Sequence, residues 1–118
     1  MNAETHLEKA RRLEASIEKL DSEEDWELVV EGIYGAMQHY IAVVCEKKIG
    51  KHIDTHKGLV RFLRENAMTD ISNIFLNIDE LRIGRWYGKK TNGETSKLAK
   101  ELLGKIKEIA KDERESTD

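Results

Sequence analysis

Apolar residues recur along this chain at the three- and four-residue intervals of amphipathic helices. The spacing predicts five helices, over about residues 3–20, 23–48, 56–66, 71–87 and 94–112. The second of these is apolar around much of its circumference, so we expect it to contact several neighbours. The pattern therefore predicts an all-α fold, a four- to five-helix up-and-down bundle.

Polar residues and glycines mark the ends of the predicted helices. Ser22, with Asp25 three residues later, has the spacing of a capping box for the second helix. Gly50 suits a left-handed cap at the end of that helix, and Thr55 suits the N-cap of the third. The short connection between them favours antiparallel packing.

Composition supports a single helical domain. Proline is absent, charged residues make up 36% and aromatic residues only 6% of 118 residues. We expect one domain over residues 1–112 and a disordered tail over residues 113–118. The single Cys45 cannot form an internal disulfide and lies on an apolar stripe, which predicts a buried structural thiol.

The sequence also bears on location. No apolar run approaches the roughly 18 residues that cross a bilayer. The N-terminus begins with an acidic amphipathic helix and not with a basic flank and an apolar stretch. We therefore predict a cytoplasmic protein with no membrane contact.

Charge is unevenly distributed along the chain, although the net charge is only −3. Residues 1–31 are predominantly acidic, residues 47–64 contain Asp54 as their single acid, and residues 82–90 are basic without any acid. If the two basic stretches meet in space, they create a local field that attracts phosphate. The alternative is two solvated helix ends whose cations complement the helix dipole.

Metal-dependent and nucleophilic chemistry find little support. Among the 4 histidines, His52 and His56 are four residues apart, but Gly50 and Thr55 predict a loop between them. The sequence contains no HExxH motif, no cysteine pair and no glycine loop of the phosphate-binding kind. We therefore predict no metal, no cofactor and no catalytic residues.

Polar side chains interrupt the apolar stripes, and these are the candidate binding residues. Along the predicted inward stripe of residues 71–78, the next positions are Arg82 and Arg85. Arginine is rarely buried without a partner or a ligand, and its planar fork suits phosphate. The alternative is that these arginines pair with acids such as Glu31 or Asp79.

Other polar residues complete the candidate set. Tyr34 and His39 fall near the inner face of the second helix, where satisfied core groups are the commoner alternative. His56 would lie in the first turn of the third helix, where free amides attract an anion, or could simply contact the cap. The predicted ligand-binding residues are Tyr34, His39, His56, Arg82, Arg85 and Tyr87.

Three short motifs carry a resemblance to a known family: YGAMQH over residues 34–39, THKG over residues 55–58 and LRIGRWYG over residues 81–88. In order and spacing they resemble the HEPN superfamily, small helical domains named as higher-eukaryote and prokaryote nucleotide-binding. The most similar part of that superfamily is a small prokaryotic branch of uncharacterised proteins. Trp86 stands where an aspartate is expected, which puts any role of that carboxylate in doubt.

The resemblance implies an HEPN-like bundle that binds a nucleotide or RNA and often forms a homodimer. It also implies pairing with a minimal nucleotidyltransferase, in a toxin–antitoxin type of system. The broad apolar face of the second helix, together with Trp26 and Trp86, independently predicts a dimer.

The resemblance argues against catalysis. Ribonucleases of the superfamily carry an arginine followed four to six residues later by a histidine. Neither Arg82 nor Arg85 is followed by a histidine in that window, and Tyr87 occupies the place. A phenol with an ordinary pKa near 10 is a poor proton acceptor at neutral pH.

Two alternatives stay open at this point. The first is a divergent metal-independent ribonuclease toxin, in which Arg82 stabilises the phosphorane and His39 or His56 arrives from a neighbouring helix. The second is a purely structural dimerisation module.

Overall fold

The computed structural model describes residues 2–51, 57–84 and 92–116, and within these ranges all regular structure is helical. The helices are α1 (Ala3–Glu18), α2 (Trp26–Ile49), α3 (Leu59–Glu65), α4 (Thr69–Gly84) and α5 (Asn92–Glu115). The predicted all-α bundle is confirmed.

The central helix of the bundle is α2, on which α1, α4 and α5 all pack. Gly32 of α2 lies against Ile17 of α1, and Gly35 lies against Leu13, so the two helices run antiparallel. Glu31 near the start of α2 contacts Arg82 near the end of α4, so these two helices are also antiparallel. Ser22 in the turn before α2 contacts Ser96 near the start of α5, so α5 runs in the same direction as α2. Four long helices therefore run up and down, and the short α3 packs on α4.

The broad apolar face predicted for α2 is filled by these neighbours. Ile33, Met37 and Ile41 are fully buried, and the same core extends to Leu63 of α3. Cys45 is also fully buried, and this burial raises the pKa of its thiol to about 11. The predicted buried structural thiol is thereby confirmed.

The expectation that no apolar run approaches membrane-spanning length is wrong for α2. Its 24 residues include an 18-residue stretch with a mean hydropathy of 1.3, which meets the length and composition of such a segment. Of that stretch, 61% is buried inside the bundle. The core helix of a globular domain has the same property, because neighbouring helices cover its apolar surface.

The turn between α1 and α2 differs from the predicted capping box. The carboxylate of Asp21 accepts two backbone N–H bonds from the residues that follow it, which lowers the pKa of Asp21. Ser22 instead binds α5: its carbonyl accepts a 2.6 Å bond from Ser96 Oγ, and its hydroxyl accepts a 2.8 Å bond from Lys100 Nζ. The prediction for Ser22 is wrong because the Asp21 carboxylate caps the turn before α2, and the N-cap of α2 itself is Asp25.

Left-handed glycines bound the segment that connects α2 and α3. Gly50 ends α2 with φ of 71°, which confirms its predicted cap, and Gly58 precedes α3 with φ of 74°. Thr55, the predicted N-cap, lies outside the described residues.

The last helix is longer than predicted. α5 continues to Glu115, so residues 113–115, assigned above to a disordered tail, are helical. The side chain of Arg114 is partly buried, which ties this last turn to the bundle.

Two helical glycines differ in the space around them and provide a matched test of the packing. A Cβ at Gly32 would lie 2.8 Å from Cγ1 of buried Ile17, whereas a Cβ at Gly104 of α5 would have nothing within 4 Å. We expect Gly32→Ala to lower the free energy of unfolding by about 1–2 kcal/mol, because overpacking outweighs the gain in helix propensity. Gly104→Ala should raise it by about 0.5–1 kcal/mol.

Urea unfolding followed by circular dichroism measures both effects on the same scale. An increase in stability on Gly32→Ala would mean that α1 and α2 are not packed this closely.

Candidate functional site

Arg82 lies at the end of the inward stripe of α4. Ile71, Phe75 and Ile78 on that stripe are buried, and the next position of the stripe is Arg82. Its side chain keeps 34% of its surface exposed, so the stem packs inward while the guanidinium reaches the bundle surface. Arg82 therefore lies at the predicted position on the stripe, with its guanidinium at the bundle surface and not in the packed interior.

The guanidinium of Arg82 joins α4 to α2. Its Nε lies 3.4 Å from Oε1 of Glu31, and its Nη1 lies 3.5 Å from Oδ1 of Asp79. Its Cζ lies 4.4 Å from the ring centroid of Tyr34, a cation–π contact. The tyrosine ring in turn packs on Phe75, with centroids 5.5 Å apart. We call Glu31, Tyr34, Asp79 and Arg82 the Arg82 cluster.

The charges within the Arg82 cluster influence one another. Burial acts to lower the pKa of Arg82, but the carboxylate of Glu31, with smaller effects of Tyr34 and Asp79, raises it overall. Burial raises the pKa of Tyr34, and the charge of Asp79 adds to this, while Arg82 opposes it. At neutral pH the phenol is therefore protonated and the guanidinium charged.

His39 faces a different neighbour. Its Nδ1 lies 2.9 Å from Nδ1 of His6 on α1, and the two rings are 5.1 Å apart. One ring must donate its Nδ1–H and the other must accept, so the contact fixes opposite tautomers in the two rings. Adding a proton to the accepting Nδ1 would break it.

His6 is a polar core residue that the sequence reasoning did not single out. It is only 4% exposed and shares the buried stripe of α1 with Ala3 and Ala10. Its helical spacing from those alanines was the signal that could have identified it.

The six predicted binding residues are only partly brought together. Tyr34 and Arg82 are in contact, whereas His39 is directed toward α1. Within the described ranges, no hydrogen bond or ion pair connects His39 to Arg82. His56, Arg85 and Tyr87 lie outside those ranges.

Lys47 and Lys48, which begin one of the two basic stretches, lie far along α2 from Arg82. Arg82 contacts Glu31 near the start of α2, whereas Lys47 and Lys48 lie in its last turn. Sixteen residues of helix separate Glu31 from Lys47, about 24 Å at 1.5 Å per residue. These two lysines complement the dipole at the end of α2, and residues 52–56 and 85–90 of the two stretches lie outside the described residues.

The Arg82 cluster contains groups of a kind that can bind an anion. It presents one guanidinium, two carboxylates and a protonated phenol, so it offers donors to an anion and no activated nucleophile. Among residues 2–51, 57–84 and 92–116, no three His, Cys, Asp or Glu side chains are grouped to hold a metal ion.

The chain matches the family model described as HEPN domain over residues 3–115. Since this match spans nearly the whole chain, the protein belongs to the HEPN domain family. Comparison with curated proteins gives no match. Comparison with solved structures gives none either.

Proposed function

We propose that this chain is a non-catalytic HEPN domain that binds a nucleotide or RNA through phosphate contacts to Arg82. The observation that carries the proposal is the geometry of that guanidinium. Its contacts to Glu31 and Asp79 are 3.4 Å and 3.5 Å long. Strong charge-assisted N–H···O bonds measure about 2.7–2.9 Å, so a phosphate could replace these contacts at small cost.

Glu31 sets the strength of this binding. Its carboxylate lies on the same guanidinium that a phosphate would use, and its side chain is 44% exposed. A phosphate must therefore displace or share with a carboxylate whose repulsion is only partly screened by water. We expect modest affinity that falls as salt concentration rises.

Arg82→Ala should weaken binding of ATP or of a short single-stranded RNA about tenfold or more, because it removes a charge-assisted contact worth roughly 1.5–3 kcal/mol. Glu31→Gln should strengthen binding, because it removes the competing charge while keeping the shape. Titration calorimetry for ATP and fluorescence anisotropy for RNA measure both changes.

Arg61→Ala is the matched control for Arg82→Ala. Arg61 forms an exposed ion pair with Glu65 at 2.8 Å on α3, so its loss should leave affinity unchanged. Loss of thermal stability on Arg82→Ala without any loss of affinity would show instead that Arg82 is a structural ion-pair residue.

Ribonuclease activity should be absent or negligible. No histidine follows Arg82 in the window that the ribonuclease motif requires, and Nδ1 of His39 is directed toward His6. We expect the purified protein to leave structured and single-stranded RNA intact on denaturing gels. Metal-independent cleavage that Arg82→Ala abolishes, accompanied by growth arrest on expression, would favour the divergent toxin.

We further propose a homodimer that uses the surface beside the Arg82 cluster. Leu28 and Ile83 are each 60% exposed, and they flank the cluster because Leu28 precedes Glu31 by one turn and Ile83 follows Arg82. Large exposed apolar side chains of this kind are typical of interfaces. A minimal nucleotidyltransferase, in a toxin–antitoxin type of pair, is the alternative partner for the same surface.

Leu28→Glu and Ile83→Glu should each convert the dimer to a 13.6 kDa monomer in light scattering at micromolar concentration. Leu98→Glu, at a residue of α5 that is 39% exposed, is the control and should leave the dimer intact. A wild-type chain that stays monomeric on concentration would contradict the homodimer. Complex formation with a nucleotidyltransferase encoded beside it would then support the alternative partner.

A further inference from the structure

A polar groove of about 280 Å³ lies between α1 and α5. Its lining includes Tyr40 of α2, Arg11 of α1, and Lys107, Lys111 and Arg114 of α5. The three α5 residues are spaced by four and three positions, which places them on one face of the helix. Tyr40 follows Tyr34 by six residues, or about 120° around α2, so the groove is on a different face from the Arg82 cluster.

Only part of the positive charge in this groove is neutralised. Glu14 accepts a hydrogen bond from the hydroxyl of Tyr40 and forms a 2.7 Å ion pair with Lys107. Glu108 is the second acid in the lining. Within the described part of the chain, Arg11, Lys111 and Arg114 have no carboxylate in ion-pair range. The chain has 23 acidic and 20 basic residues, so the lack of carboxylates beside these cations does not reflect a shortage of acids.

Arg114 carries the most specific signal. Its Nε is buried, yet among the described residues it has no hydrogen-bond acceptor. A buried charged donor without an acceptor is unfavourable, and native structures seldom retain one without a reason. An anion in the groove would supply that acceptor.

Arg11 and Arg114 line the same groove as Tyr40, and their charges act on its hydroxyl. Burial raises the pKa of Tyr40, and its bond to Glu14 raises it further, whereas Arg11 and Arg114 both oppose this rise. Guanidinium groups from α1 and α5 thus act on one site from opposite walls.

We propose that the α1–α5 groove binds a phosphate-class oxyanion, held by Arg11, Lys111 and Arg114, with Lys107 kept in place by Glu14. Three cations facing one remaining acid match a group that carries two or more negative charges, such as the diphosphate of a nucleotide or free pyrophosphate. This site is independent of the proposed function of the Arg82 cluster.

Titration of the full chain with sodium pyrophosphate tests the proposal. We expect saturable binding that weakens as the salt concentration rises from about 50 to about 300 mM, because the electrostatic screening length shortens over that range. Lys111→Gln and Arg114→Gln should each raise Kd about tenfold, since each removes one charge-assisted contact. Lys111 is exposed at the surface, so its variant reports on binding even if Arg114→Gln loosens the helix end.

Lys105→Gln and Arg12→Gln are matched controls, because both residues are exposed on the same two helices but do not line the groove. They should leave Kd within about twofold of wild type. The same titrations repeated with Arg82→Ala in every chain exclude any phosphate binding at the Arg82 cluster, and the loss of affinity on Lys111→Gln should remain. Titration with ADP distinguishes the sources: affinity above that of pyrophosphate, with the same loss on Lys111→Gln, indicates a nucleotide.

Two results would overturn the proposal. One is no binding of pyrophosphate at millimolar concentration. The other is an equal loss in the Lys105→Gln control, which would indicate nonspecific attraction to the cations of α5.

Discussion

Burial of α2 beneath three other helices is the constraint on which the rest of the structure depends. A helix that is apolar around most of its circumference must be enclosed, and α1, α4 and α5 provide that enclosure. Polar groups on such a helix need partners on whichever neighbour they meet. Glu31 therefore meets Arg82 of α4, His39 meets His6 of α1, and the hydroxyl of Tyr40 meets Glu14.

Close approach of α1 makes the enclosure possible. Gly32 and Gly35 bring the backbone of α2 against Ile17 and Leu13. α5 packs on α2 but does not approach α1 as closely as α2 does. The ion pair between Lys107 of α5 and Glu14 of α1 bridges the space between those two helices. One central helix thus separates two polar surfaces that differ in charge, the Arg82 cluster and the α1–α5 groove.

The two surfaces have different relationships to anions. In the Arg82 cluster two carboxylates share one guanidinium, so a phosphate that bound there would compete with both acids. In the groove the cations outnumber the acids, so an anion would complete the charge balance. Membership of the HEPN family gives the context for phosphate-bearing ligands, and the absence of a histidine after Arg82 separates this chain from the ribonuclease pattern.

Local patterns in the sequence determined much of the molecule. Periodicity located the helices, placed Cys45 in the core and placed Arg82 at the end of the inward stripe of α4, because each of these depends on neighbours three or four positions away. Gly50 indicated the end of α2, because glycine readily adopts a positive φ. The contact of Asp79 with Arg82 is similarly local, since the two are three positions apart on one helix.

Only the tertiary structure decided which distant groups meet. His6 pairs with His39 across 33 positions, and Tyr40 bonds Glu14 across 26, and no local period encodes either pairing. Their partners follow from the register and crossing of packed helices, which the fit of many side chains sets together. The same holds for the groove, because α1 and α5 approach each other only through their shared packing on α2.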